Sequence, residues 1–394
     1  MLATDDARNG IKVVDADTHV VEPYDLWTSR VPRKWRDLVP HVVWNEDRHQ
    51  DVWTMPGRPL MAAATFAAMS GWKEYPPDRP PTLADADPAT WEVNARLRRM
   101  DELGIYAQVL YPNIAGFGGG NYLAIEDPEL RLLCVRAYND WVTEWASAAP
   151  ERFVTNCAIP FWDVELSVTE VLRCRDMGHR GVLFSTHPHD FQQPYLSDPH
   201  WDPIWAAAQD LGMPINFHIG GGGQGDFGVG YEGNGARINY AISSATNFLS
   251  TASAITETVV GGVCARFPHL AFVSVESGIG WLPFLLESMD WQWQATGLHR
   301  ERPERMLPSE YFRRQFSTCF WFERKTIDFA LSILGADRIL FETDFPHPTS
   351  QTPGPASPGV AAHQYIDETL GHLPTETLVK ILRDNAATLY SLDL

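Results

Sequence analysis

Cysteine is scarce in this sequence, and its pattern does not suggest pairing. The 394 residues include five cysteines, at positions 134, 157, 174, 264 and 319. Their number is odd and no CxxC spacing occurs, so we expect neither a disulfide framework nor a cysteine zinc site. A reducing compartment fits this pattern best, and we therefore expect a cytoplasmic protein.

Long apolar runs and excess positive charge are also missing. No uninterrupted apolar stretch approaches the ~20 residues of a membrane helix. The first ten residues carry Asp5 and Asp6 instead of the apolar core of a targeting peptide. There are 31 Lys and Arg residues against 50 Asp and Glu, a formal net charge of −19. This charge repels phosphate backbones, so we expect neither nucleic acid nor a membrane as a partner.

Eight short apolar segments, rich in β-branched residues, recur along the chain and end in polar residues. They have the character of buried parallel strands and cover residues 11–20, 106–112, 153–160, 181–186, 214–219, 271–276, 316–321 and 338–344. Helical patterns separate them, at 88–103, 128–148, 164–177, 201–211, 255–267 and 326–334. Eight such units predict an α/β fold, a (β/α)8 TIM barrel that forms a single domain over residues 1–394.

Two segments do not fit this repeat. Residues 23–87 are too long for a simple loop and are rich in Trp, Pro and Arg, so we expect an insertion after the first strand that acts as a partial lid. Residues 220–235 (GGGGQGDFGVGYEGNG) are rich in glycine. They lack the GK[ST] ending of a phosphate-binding loop, and no helical pattern opens directly from them. We interpret them as a flexible loop.

Polar residues end several of the predicted strands, and in a (β/α)8 barrel the strand ends meet at one face. The first strand ends with Asp17 and His19, the fifth carries His218, and the eighth ends at Asp344. Asp17 and His19 are two residues apart, which puts both side chains on the same side of a strand. Two imidazoles and two carboxylates suit Zn²⁺ or Mn²⁺. The sequence therefore predicts a divalent metal site at the barrel mouth.

Further candidate residues lie near the same predicted mouth. Glu276 ends the sixth strand. Burying an unpaired carboxylate costs free energy, so we expect Glu276 to be a site residue. His347 follows the eighth strand and His187 follows the fourth.

Three arginines and one tryptophan are candidate substrate contacts. Arg237, Arg58 or Arg79 could hold a carboxylate through the planar guanidinium, although each has an ordinary alternative as a surface cation. Trp281 is one of 15 tryptophans, and it could line a site for a flat substrate or pack the barrel shell.

Five segments together form a specific combination that spans most of the chain. They are DADTHVVEP at 15–23, RLRRMDELGI at 96–105, INFHIGG at 215–221, RFPHLAFVSVESGIGWLP at 266–283 and FETDFPH at 341–347. In these the sequence resembles the amidohydrolase-related family, in the branch of aminocarboxymuconate-semialdehyde decarboxylase and the hydroxybenzoate decarboxylases. The resemblance implies one metal ion per chain, Zn²⁺ or alternatively Mn²⁺, held by Asp17, His19, His218 and Asp344. It also implies that Asp344 transfers the proton, and that the protein is a homodimer or a homotetramer.

One position departs from the family pattern. The well-studied decarboxylases carry a catalytic histidine after the sixth strand, where this sequence has Glu276, and His347 or His187 is then a candidate substitute. We expect a metal-dependent enzyme, a carboxy-lyase or hydrolase acting on a small carboxylated or carbonyl-bearing compound of aromatic origin. The alternatives are a C–C bond or amide hydrolase that uses a metal-activated water, and a catalytically silent barrel that binds a small ligand.

Overall fold

Eight parallel strands, hydrogen-bonded in chain order, form the core of the protein. The structure, a computed structural model, describes residues 10–55, 58–64, 66–114, 116–117, 119–222 and 230–394. The strands are β1 (Val13–His19), β2 (His41–Asn45), β3 (Gln50–Met55), β4 (Arg58–Ala62), β5 (Ile105–Tyr111), β6 (Phe153–Cys157), β7 (Gly181–Phe184), β8 (Ile215–His218), β9 (Phe272–Val275), β10 (Phe316–Phe320) and β11 (Ile339–Phe341). The parallel sheet runs from β1 through β5 to β11. The predicted (β/α)8 barrel is therefore confirmed.

Helices follow the barrel strands. They are α1 (Val93–Leu103), α2 (Pro128–Ala146), α3 (Val164–Asp176), α4 (Asp202–Leu211), α5 (Ala236–Thr246), α6 (Phe248–Val260), α7 (Val263–Arg266), α8 (Leu282–Ala295), α9 (Leu298–Glu301), α10 (Pro308–Gln315), α11 (Ile327–Leu334), α12 (Ala362–Tyr365), α13 (Thr375–Val379) and α14 (Asn385–Leu389), with π-helical turns at Ile366–Leu370 and Lys380–Asp384. None of the described helices is long and apolar enough to cross a membrane.

One sequence expectation about the glycine-rich segment was wrong. A helix does open directly from it, because α5 begins at Ala236, immediately after Gly235. The α5 sequence, ARINYAISSAT, is short, and its start has neither a capping side chain nor an acidic residue in the first turn, so the usual signs of a helix N-terminus are missing. Residues 223–229 of the same segment lie outside the described residues.

Local side chains set several helix ends. The Asp127 carboxylate accepts hydrogen bonds from the backbone N–H groups of Glu129 and Leu130 at the start of α2. Gly104 and Gly212 end α1 and α4 in the left-handed conformation that glycine adopts without strain. These ends return the chain to the next strand after a short connection, as the barrel requires.

The interior of the barrel contains a buried polar group that joins several strands. The hydroxyls of Tyr111 and Tyr390 donate to Asn216 Oδ1 at 3.1 and 2.7 Å. Gly181 leaves the room for this group, because a Cβ there would lie 2.2 Å from Asn156 Oδ1 and 2.6 Å from Asn216 Nδ2. The interior below the strand ends is thus tightly packed.

The seam between β1 and β11 closes the barrel through residues that follow β11. His19 N donates to Phe345 O at 2.7 Å, and Asp344 N donates to Asp17 O at 3.0 Å. These bonds hold the two chain segments that carry Asp17, His19 and Asp344 against each other. The relative position of these three side chains therefore depends on the seam.

A buried side-chain network supports the seam from below. The Asp15 carboxylate accepts hydrogen bonds from Thr343 N at 2.8 Å and Thr343 Oγ1 at 2.5 Å. Gln108 links Asp15 to Arg96, with distances of 3.4 Å from Nε2 to Asp15 and 3.2 Å from Oε1 to Arg96 Nη1. Arg96 also donates to His19 O at 2.5 Å. This fully buried arginine connects α1 to the end of β1.

The segment 23–87 contains the antiparallel sheet β2–β3–β4. Its contacts with the barrel mouth include two polar ones. Ser70 N donates to Pro346 O at 3.1 Å, and Asp78 Oδ2 lies 3.2 Å from Arg237 Nη2 at the start of α5. The segment is therefore attached to the connections that follow β8 and β11.

Replacing the buried arginine tests the network. Arg96→Ala should lower the free energy of unfolding by about 3–5 kcal/mol, because it leaves buried acceptors, including His19 O, without their donor. Arg98→Ala, at an exposed position of the same helix, should change stability by less than about 0.5 kcal/mol. Urea unfolding followed by circular dichroism measures both, and equal losses would contradict the importance given to Arg96.

Candidate functional site

Five predicted site residues meet at the C-terminal ends of the barrel strands. Asp17 and His19 lie on β1, His218 ends β8, Glu276 follows β9 directly, and Asp344 follows β11. All five are buried, and Glu276 is the most accessible at 6% exposure. Burial of so many ionisable groups in one place indicates a functional centre, because each costs desolvation energy.

The donor atoms of these residues surround a common space. His19 Nε2 lies 3.5 Å from both Asp17 Oδ1 and Asp344 Oδ1. His218 Nε2 lies 3.4 Å from Asp17 Oδ1 and 3.5 Å from Glu276 Oε2. The atoms form two overlapping sets in which all donors lie within 4.8 Å of one another: Asp17, His19, His218 and Glu276, and His19, Glu276, Asp344 and His347.

The orientation of the two histidines fits metal binding. His19 Nδ1 lies 3.2 Å from Pro112 O, and His218 Nδ1 lies 2.7 Å from Ile219 O. A proton on each Nδ1 leaves the Nε2 lone pair directed at the common space. Within the described residues, both Nε2 atoms and both Asp17 carboxylate oxygens are buried without a hydrogen-bond partner. These residues therefore fit a divalent cation.

The carboxylates of the site repel one another. Burial raises the pKa of Asp344 well above its usual value, and the charge of Asp17 raises it further. Burial and Asp344 raise the pKa of Glu276 in the same way. Burial lowers the pKa of His218, but the Asp17 and Glu276 carboxylates outweigh that effect and raise it overall. A bound cation would relieve this repulsion.

Two acidic residues of the site have unusual backbone conformations. Glu276 has φ +51° and Asp344 has φ +56°, in the left-handed region that residues other than glycine seldom adopt. Such residues cost about 1–3 kcal/mol each and are concentrated at functional sites. Both follow a strand directly or closely, so the chain adopts this conformation at two of the points where it brings a carboxylate to the mouth.

His347 and Thr349 lie against Asp344. His347 Nδ1 is 2.7 Å from Asp344 Oδ1, and its ring stacks on His19 with 3.8 Å between centroids. Burial lowers the pKa of His347 to about 3. Thr349 Oγ1 donates to Asp344 Oδ2 at 2.5 Å and lies 3.4 Å from Glu276 Oε1. Asp344 is thus held between an imidazole and a hydroxyl.

Three predicted substrate contacts have other contacts in the structure. Arg237 pairs with Asp78, and Trp281 Nε1 donates to Ser277 O at 2.7 Å. His187 is half-buried after β7, with its ring 5.3 Å from that of His189. None of the three belongs to the two donor sets formed by the described residues.

The sequence analysis did not identify Phe117, Glu342 or Thr349. The Phe117 ring stacks on His218 with 3.8 Å between centroids. Glu342 Oε2 accepts a hydrogen bond from Glu276 N at 3.1 Å. Glu342 could have been found, since it is two residues before Asp344 near the same strand end. Phe117 and Thr349 lie in loops, where no periodicity indicates which way a side chain points.

The family model for amidohydrolases matches residues 14–392. The chain belongs to the amidohydrolase family. The match includes every residue of the two donor sets. It confirms the predicted resemblance, and with it the prediction of an enzyme.

Known relatives of this amidohydrolase include a gamma-resorcylate decarboxylase from Rhizobium sp. (strain MTP-10005). The two are 27% identical over 310 residues, which cover 76% of this chain and 87% of the relative. An amidohydrolase structure from Mycobacterium avium subsp. paratuberculosis K-10 has a TM-score of 0.75 at 22% identity and covers 97% of this chain and 99% of its own. A 5-carboxyvanillate decarboxylase from Novosphingobium aromaticivorans, solved with bound manganese, has a TM-score of 0.66 at 16% identity, with 100% of both chains covered.

Metal analysis tests the donor cluster. The purified amidohydrolase should contain about one divalent ion per chain, and His218→Ala should lose most of it, because one of few donor atoms is removed. His200→Ala, at an exposed histidine, should keep the wild-type content. Elemental analysis after growth with added Zn²⁺ and Mn²⁺ measures both, and a metal-free wild-type protein would contradict the assignment.

Proposed function

We propose that this amidohydrolase is a metal-dependent carboxy-lyase that removes CO2 from a small aromatic carboxylic acid. The observation that carries the proposal is the pair of Asp344 and His347, 2.7 Å apart at the edge of the donor cluster. A proton-transfer group next to a cation site suits a reaction in which carbon is protonated. The activity of the gamma-resorcylate decarboxylase relatives supports the same reaction class.

Each residue has a role in this reaction. Asp17, His19, His218 and Asp344 would hold the ion, which when bound withdraws electron density from a substrate oxygen. Asp344 gives its proton to the ring carbon that bears the carboxylate. The bond between that carbon and the carboxylate then breaks, its electron pair returns to the ring, and CO2 leaves. His347 and Thr349 keep the Asp344 carboxyl pointed toward the substrate.

The ion would be Zn²⁺ or Mn²⁺. Imidazole and carboxylate donors suit both ions. The manganese in the 5-carboxyvanillate decarboxylase structure supports Mn²⁺ for a fold of this kind.

The segment 23–87 would act as a lid, within a single domain. Its bonds from Ser70 to Pro346 and from Asp78 to Arg237 support this role, because they attach it across the mouth. His187, Arg237 and Trp281 would contact the outer part of a substrate. They follow β7, β8 and β9, the strands whose ends face the mouth.

Isotope incorporation separates decarboxylation from hydrolysis. With 2,6-dihydroxybenzoate or 5-carboxyvanillate in D2O, a decarboxylase both releases CO2 and leaves one deuterium on the vacated carbon. A C–C bond hydrolase also leaves deuterium on carbon but releases no CO2, and an amide hydrolase leaves none. Asp344→Asn should lower kcat/KM by about 10²–10⁴-fold, the usual contribution of general acid catalysis. Asp337→Asn, at an exposed carboxylate, should not change it. Hydrolysis without CO2 release would replace the proposed reaction with the alternative one.

We also propose that the protein is cytoplasmic and forms a homodimer or homotetramer. All five cysteines are buried thiols, which suits a reducing compartment. Two large aromatic side chains of α8 support self-association, since Phe284 is 78% and Trp291 72% exposed.

Changing the charge of this surface tests the oligomer. Trp291→Glu should weaken association at least about tenfold, because burying an unpaired carboxylate in an interface is unfavourable. Phe329→Glu, at an exposed aromatic of α11, serves as the matched control. Sedimentation velocity over a concentration series measures the mass, and a wild-type monomer at all concentrations would contradict the proposal.

A further inference from the structure

Glu276 occupies a place among the donor atoms of the barrel mouth. We propose that Glu276 is a direct metal ligand, in addition to Asp17, His19 and His218. The inference rests on the proposed metal site and extends it. It assigns the acidic residue that this chain carries after β9 to metal binding.

The distances support a shared ion. Glu276 Oε2 lies 3.5 Å from His218 Nε2, and Asp17 Oδ1 lies 3.4 Å from the same nitrogen. Ligand atoms bound tetrahedrally at ~2.1 Å from one ion are about 3.4 Å apart. Glu276 belongs to both donor sets, whereas Asp344 belongs only to the one that includes His347. The geometry therefore places Glu276 next to His218, at the separation expected for two ligands of one ion.

Glu276 is also held in an orientation that suits this role. Its N–H donates to Glu342 Oε2 at 3.1 Å, and its Oε1 lies 3.4 Å from Thr349 Oγ1. These contacts leave Oε2 as the atom that faces His218. The left-handed backbone at Glu276 is unfavourable for a glutamate, and a bound ion would compensate for it.

This assignment changes the expected metal preference. Glu276 adds a carboxylate to the donor set, where a histidine at this position would add a third imidazole, so the set with Glu276 is the harder of the two. Harder sets favour Mn²⁺ relative to Zn²⁺ compared with imidazole-rich sets. Exchanging Glu276 for histidine should therefore shift the preference toward Zn²⁺ without abolishing binding.

Chelator competition on the metal-free protein tests the proposal. Glu276→Gln should weaken Mn²⁺ binding by at least about 100-fold. Removing a residue that only orients a ligand should weaken binding by less, about 10–100-fold. Glu276→His should bind Zn²⁺ well and lower the ratio of Mn²⁺ to Zn²⁺ affinity at least about tenfold. Glu22→Gln is the matched control, because Glu22 is a buried carboxylate that accepts hydrogen bonds from Asn113 N and Ile114 N and lies outside both donor sets.

The outcomes distinguish this proposal from the metal site itself. Wild-type Mn²⁺ affinity in Glu276→Gln, together with lost binding in His218→Ala, overturns the role of Glu276 and leaves the metal site standing. If Glu276→Gln does not fold by circular dichroism, Glu276→His decides, and an unchanged ratio of affinities overturns the proposal. A wild-type protein that binds neither ion overturns both.

Discussion

The mouth of this barrel gathers buried carboxylates that repel one another. At the ~4 Å separations typical of such clusters, two like charges cost about 4 kcal/mol at an effective dielectric constant of 20. Burial raises the pKa of Asp344, Glu276 and Glu342, and the charges of neighbouring carboxylates raise it further. A cation bound between the carboxylates would attract each of them, and this attraction would outweigh the repulsion between them. The unpartnered donor atoms and the left-handed backbones are both accounted for by such an ion.

The rest of the barrel supplies the rigidity to hold these groups together. The seam between β1 and β11 places Asp344 against Asp17 by a backbone hydrogen bond. Below it, Arg96 and Asp15 are joined through Gln108, so the positive charge in the network lies beneath the strand ends. The arginine supports the backbone of His19 and does not occupy the position of the cation.

The sequence predicted the eight barrel strands because their apolar runs are buried on both faces and end in polar residues. It located Asp17, His19, His218 and Asp344 for the same reason, since strand ends meet at one face. It could not predict the contact between Arg237 and Asp78, because these residues are far apart in the chain and Asp78 lies in a loop. It also could not show that the Glu276 carboxylate lies 3.5 Å from the His218 imidazole, because this distance depends on the left-handed backbone conformation of Glu276. The helix α5 was missed because neither a capping side chain nor an acidic first turn marks its start.

The hydroxyl of Tyr390 gives the metal centre a connection to the opposite end of the barrel. It bonds to Asn216, which is two residues before His218 on β8, and Arg180 donates to the Tyr390 carbonyl oxygen at 3.1 Å. The strand that carries one metal donor is therefore anchored by the turn that follows α14. A fusion or deletion that displaced this turn would therefore act on His218 through the backbone of β8, from the end of the barrel opposite the mouth.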